Sequence, residues 1–173
     1  MNKDKDRVFQ LIGKITVQFA TMEHRLQILL ETLMGDGNTI VGPLFIHEVP
    51  FGGLMKKIGL LAHCRMQDGS ELLSELDRIL KKLDGLREER NLLIHGDWKI
   101  ENLDSFRITV RDFKMRYDQN TLHEYSETEF TEKKLLILNR HLDGLGHKVD
   151  YLVRRLNESS SDLKTCRKNL SAQ

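Results

Sequence analysis

The chain has 173 residues, a formal net charge of +1 and 31% charged residues, with few prolines and ample leucine. That describes a globular domain with a sizeable core and excludes a disordered or fibrous chain. A near-neutral balance also excludes a general polyanion binder, so any affinity for nucleic acid must come from local charge.

No stretch approaches a membrane span, and the charged start Met1-Asn2-Lys3-Asp4-Lys5-Asp6-Arg7 is followed by no uninterrupted apolar run. Cys64 and Cys166 are isolated, with neither a metal-binding spacing nor a disulfide framework. We therefore expect a cytoplasmic protein that contacts no membrane, with reduced thiols, no bound metal and no cofactor.

Taking the elements in chain order, Val8, Leu11, Ile12, Ile15, Phe19, Met22, Leu26, Leu29, Leu30 and Leu33 keep helical spacing up to Gly35-Asp36-Gly37 and predict a first long helix. Residues 38 to 50 contain Gly42-Pro43 and Val49-Pro50 and read as a loop with one short helical turn. Leu54, Met55, Ile58, Leu61 and Ala62 mark a second helix, which Asp68-Gly69-Ser70 breaks. A third begins with Ser70 as its N-cap and runs to His95, tolerating Gly85 on the way.

Beyond Trp98 the period changes. Phe106 to Arg111 alternates, Leu122 to Glu127 does so less cleanly, and Asp118-Gln119-Asn120 separates them, which predicts an antiparallel hairpin inserted at about 98–130. Thr131 caps a fourth helix with the seam Leu135, Leu138, Leu142, Leu145, Val149, Leu152 and Leu156. The run Glu158-Ser159-Ser160-Ser161-Asp162 should interrupt it. The expected fold is mainly all-α: an up-and-down bundle of about four long helices over residues 1–156 with a small β-hairpin insert, then a polar tail or short helix over 157–173.

The most informative segment is Arg90-Asn91-Leu92-Leu93-Ile94-His95-Gly96. The seam Leu76, Ile79, Leu83, Leu86, Leu93 calls for an apolar residue at position 90, and arginine stands there. A guanidinium on a core-facing seam loses several kcal/mol of hydration unless a carboxylate or a phosphate compensates it. Asn91 and His95 are four residues apart and share one helix face, and Arg87 extends that row by a turn. Helix capping accounts for His95 and Gly96 singly. It does not account for arginine and asparagine on or beside the packing seam.

Arg90-Asn91-x-x-x-His95, at the C-terminal end of an internal helix and followed by Gly96 and Trp98, resembles the R-N-x-x-x-H form of the R-x4-6-H signature of the HEPN superfamily. These are all-helical domains named for higher eukaryotes and prokaryotes nucleotide-binding. Thr21-Met22-Glu23-His24-Arg25-Leu26 is similar to the acidic position that many small bacterial members have in their first helix. The likeness loosely covers residues 5 to 156. It implies a ribonuclease that works as a homodimer with a composite cleft between facing motifs and leaves a 2′,3′-cyclic phosphate.

The residue chemistry fits that implication. RNA carries its own nucleophile, the 2′-hydroxyl, and in-line attack on the adjacent phosphate needs a proton acceptor, a proton donor and stabilisation of the added negative charge. His95 suits proton transfer near neutral pH, Arg90 remains cationic and can hold phosphate oxygens, and Asn91 can orient either. One histidine serves poorly as both acid and base, whereas a two-fold dimer supplies two. Glu23, at the border of the first apolar stripe, either reaches Arg90 across the bundle as a bidentate carboxylate or is a solvated surface glutamate; Arg87 stands in support of Arg90.

Lys and Arg outnumber Asp and Glu from Lys133 onward, and Arg154-Arg155 offers a weak RNA rim; a solvated helix face explains the same cluster. His24, His47, His63, His141 and His147 are assigned no chemistry. The expected function is therefore a metal-independent endoribonuclease acting as a toxin or antiviral effector, with a separately encoded antitoxin as a possible partner. The alternative is a non-catalytic helical module that binds RNA, nucleotide or protein.

Overall fold

The computed structural model describes residues 3–35, 46, 49–102, 107–112 and 127–170, with side chains for 6–35, 46, 49–99, 107–112 and 127–158. Among these residues the chain is mainly helical, 81% helix in four helices, with a small three-strand antiparallel sheet. The order is α1 (Lys3–Met34), α2 (Phe51–Arg65), α3 (Glu71–His95), β1 (Asp97–Asn102), β2 (Arg107–Arg111), β3 (Glu127–Thr131) and α4 (Glu132–Leu170). The chain forms two compact units. One comprises Met1–Phe19 with Gly85–Asp143, the other Ala20–Asp84 with Gly144–Gln173.

Each helix buries the stripe that its spacing marks out. On α1 that stripe is Val8, Ile12, Ile15, Phe19, Met22, Leu26, Leu29, Leu30 and Leu33; on α3 it is Leu73, Leu76, Ile79, Leu83, Leu86 and Leu93. On α4 it runs from Leu135 to Leu152 at three-four spacing. The expected caps form: the Ser70 hydroxyl accepts from the Leu73 amide at 3.3 Å and the Thr131 hydroxyl from the Lys134 amide at 3.2 Å. α1 ends at Gly35 in the left-handed region, φ 76°, while Arg65 donates from Nη1 to the Leu33 carbonyl at 2.6 Å. Ile46 is helical and buried; the remainder of the expected turn in 38–48 lies outside the described residues.

Within the second unit, α1 and α4 come together at Gly146, where a Cβ would run into the Arg25 guanidinium. Arg25 pairs there with Asp150 at 3.2 Å. α2 presents His63, whose Nδ1 lies 2.9 Å from the Gly59 carbonyl oxygen and whose Nε2 lies 3.5 Å from Asp77.

The expected antiparallel insert is present and is extended by one strand, giving a three-strand sheet of order β1-β2-β3 whose first strand follows directly on α3. The second expected strand, Leu122 to Glu127, lies outside the described residues except for Glu127, where β3 begins. The interruption expected at Glu158 to Asp162 does not end α4, which continues to Leu170. That run contains neither glycine nor proline, so its intrinsic cost to a helix is small.

The sheet sorts its residues by alternation. Ile108, Val110 and Phe130 are buried, while Arg107, Glu127 and Glu129 face water. Asp97 opposes Arg111 and Trp98 opposes Val110, so β1 holds the end of α3 against β2.

Candidate active site

The motif occupies the last turns of α3 in the first unit. Arg90 stands where the seam predicts, between buried Leu86 and Leu93, and is itself half-buried. Its Nη1 donates to Asn91 Oδ1 at 3.0 Å, and its guanidinium lies over the Phe19 ring of α1, 5.8 Å from the centroid. Nε is buried with no hydrogen-bond partner. Arginine on this seam is thus held by a neutral amide and an aromatic face, both of which leave its charge in place.

His95 is the last residue of α3 and is exposed. Five residues separate it from Arg90, a rise of about 7.5 Å and a turn that sets the two on different sides of the helix. Asn91, four residues before His95, lies on the histidine's side and bonds Arg90 from there. Arg87 is half-buried one turn earlier. The structure therefore brings Arg90 and Asn91 together, holds Arg90 inward and leaves His95 outward.

Of the remaining candidates, Glu23 is half-buried on the part of α1 that belongs to the second unit, so the ion pair expected with Arg90 would run between units. Arg154 and Arg155 also belong to the second unit, exposed on α4, and Arg155 pairs with Glu158 at 3.3 Å. That pairing favours the solvated-face account of the basic cluster.

Two roles beside the motif escape sequence reasoning. Gly96 is not a left-handed C-cap: among the described residues the glycines with positive φ are Gly35 and Gly69, and the Gly96 amide continues the helical pattern to the Leu92 carbonyl at 2.9 Å. Its small size is what matters. A Cβ there would collide with Val110 Cγ1, lie 2.6 Å from the Leu92 carbonyl oxygen and 2.9 Å from that of Arg111. Trp98 supplies the cap, its Nε1 donating to the Leu93 carbonyl at 2.8 Å.

The Trp98 indole also stacks on Phe9 of α1, with ring centroids 6.3 Å apart and planes 13° from parallel. Phe9 remains 48% exposed. The signal for this pair was present in the sequence, because Phe9 sits beside the α1 stripe rather than on it. Two further buried polar atoms of this unit, Gln18 Oε1 and Asn139 Oδ1, have no hydrogen-bond partner.

Among the described residues no three His, Cys, Asp or Glu side chains come together as a metal site needs. Cys64 is an exposed free thiol. No described helix is long and apolar enough to cross a membrane. The chain matches no protein-family model, no curated protein and no solved structure. The resemblance to the HEPN superfamily accordingly rests on the motif and its setting.

Proposed function

We propose that this protein is a metal-independent endoribonuclease of the HEPN type, active as a cytoplasmic homodimer and serving as a toxin or antiviral effector. The observation that carries the reading is Arg90. It sits on a core-facing seam, its hydrogen bond goes to the neutral Asn91, and its Nε is buried without a partner. A cation kept at such a position, against the cost of desolvation, is suited to an arriving phosphate.

In this mechanism Arg90 holds the phosphate oxygens as charge develops on them, and His95, free in water at the helix end, moves the proton. Asn91 orients the guanidinium through its Oδ1. Because Arg90 and His95 point to different sides of one helix, a second copy completes the acid and base pair. An antitoxin encoded separately is the partner such an enzyme calls for.

The test is cleavage of a mixed single-stranded and transfer-RNA substrate in excess chelator, comparing wild type with His95→Ala. Cutting that survives the chelator and disappears in the variant supports the reading; equal cutting by both sinks it.

A second reading, a helical interaction module, draws on the same region. Gly96 and Trp98 have packing roles that account for them without chemistry, and Phe19 already partners Arg90. A folded wild-type dimer that leaves every RNA intact favours this alternative.

A further inference from the structure

The described part of the first unit offers two unfinished interactions on the paired lengths of α1 and α3. One is the Arg90 guanidinium over Phe19, with Nε unpartnered. The other is the Phe9–Trp98 stack, in which Phe9 is 48% exposed. The first calls for an anion and the second for a flat apolar ring. Phe9 and Phe19 are ten residues apart on one helix, about 15 Å along its axis. The exposed His95 lies in sequence between Arg90 and Trp98.

We infer that Phe9 and Trp98 form a stacking platform for a base of single-stranded RNA, while Arg90 takes a phosphate of the same strand. The choice of RNA rests on the ribonuclease reading above. The platform itself rests on the aromatic geometry.

The near-parallel rings set one plane on which a base can continue the stack, an interaction tolerant of sequence because every base has a π-face. Trp98 is fixed by its hydrogen bond to Leu93, so little ring motion remains to be frozen on binding. Phe9 and Phe19, which mark the two features on α1, lie about 15 Å apart along its axis, a spacing that an oligonucleotide can occupy at both ends. The platform thus positions substrate and takes no part in the chemical step.

Trp98 is the sole tryptophan of the chain, so its fluorescence reports the platform directly. The full-length His95→Ala variant, which leaves RNA uncut, is titrated with oligouridylate, with the same ribose-phosphate chain lacking bases, and with uridine monophosphate. Saturable quenching by the oligouridylate alone is expected. Adding Phe9→Leu, which keeps the apolar cover and removes the ring, should weaken binding about ten-fold.

Equal quenching by the base-free chain, or binding of oligouridylate without quenching, overturns the platform. So does a Trp98 signal that follows protein concentration without RNA, which would assign the patch to a second copy of the chain. The two readings fail separately. Quenching by oligouridylate beside a wild type that never cuts leaves the platform standing and removes the ribonuclease. Cutting with an unchanged KM in Phe9→Leu does the reverse.

Discussion

The indole Nε1 of Trp98 donates to the main-chain carbonyl of Leu93 at 2.8 Å, closing the last turn of α3 from a residue outside the helix. A carbonyl in a helix's final turn has no partner of its own, and here a strand side chain provides it. Trp98→Phe keeps an aromatic ring and removes the donor. It should lower stability by about 1–2 kcal/mol, read from the urea midpoint by circular dichroism. An unchanged midpoint means that water replaces the indole at no cost.

Gly96→Ala tests the close approach of β2 to the helix end. The new methyl meets two backbone carbonyls as well as Val110, and backbone gives way less readily than a side chain end. A loss of about 2–3 kcal/mol is expected, the upper part of the range for overpacking. A shift below about 1 kcal/mol would show that strand and helix end separate easily.

Arg90→Met should separate stability from activity. The methionine fills an apolar seam position and removes a buried Nε that has no hydrogen bond, so the melting temperature should hold or rise while RNA cleavage disappears. A marked fall in melting temperature would instead make Arg90 a structural residue whose contacts with Asn91 and Phe19 outweigh its desolvation.

The pair formed by Lys148 Nζ and Glu75 Oε1, 2.6 Å apart, holds the Glu75 carboxyl below its ordinary range, chiefly through the hydrogen bond from Lys148. A folded-state pKa lower than the unfolded one stabilises above the unfolded value, and that contribution disappears as pH falls through the folded value. Because Lys148 is half exposed, the pair is worth only about 0.5 kcal/mol. Lys148→Met should therefore cost little at neutral pH and make acid unfolding slightly less steep. A stability profile with the same slope as wild type on the acid side would remove Glu75 from the account.

Asn139 is buried, donates from Nδ2 to the Leu135 carbonyl at 2.9 Å and leaves Oδ1 without a partner. Asn139→Leu has a similar outline and no orphan acceptor, so a gain of about 1 kcal/mol is expected in chemical denaturation. A loss of that size would show that the Leu135 bond outweighs the buried oxygen.

The long elements were legible because their seams repeat over many turns, as Val8 to Leu33 and Leu135 to Leu152 do. The arginine at position 90 was legible for the same reason, as a break in a regular series. Its aromatic neighbour was not, because Phe19 reads as one more core position until the fold sets it under a guanidinium. β1 was missed although Asp97-Trp98-Lys99-Ile100 alternates, since four residues directly after a helix carry little periodic weight. Gly96 was read as a conformational stop because a sequence records that a side chain is missing, not which atoms fill its place.

Among the described residues the sheet ends at β1 and at β3, and both edges are poor templates for further strands. β3 has five residues, carries Glu127 and Glu129 outward in ion pairs with Arg111 and Arg107, and passes at once into the capped start of α4. A second β3 laid alongside would set carboxylates near carboxylates. On the other side, the β1 pairing is irregular between Ile100 and Asn102, which breaks the row of unpaired amides and carbonyls an incoming chain would need. Growth of the sheet from one molecule into the next is therefore discouraged at each of these edges, and the homodimer we propose would form through other surfaces.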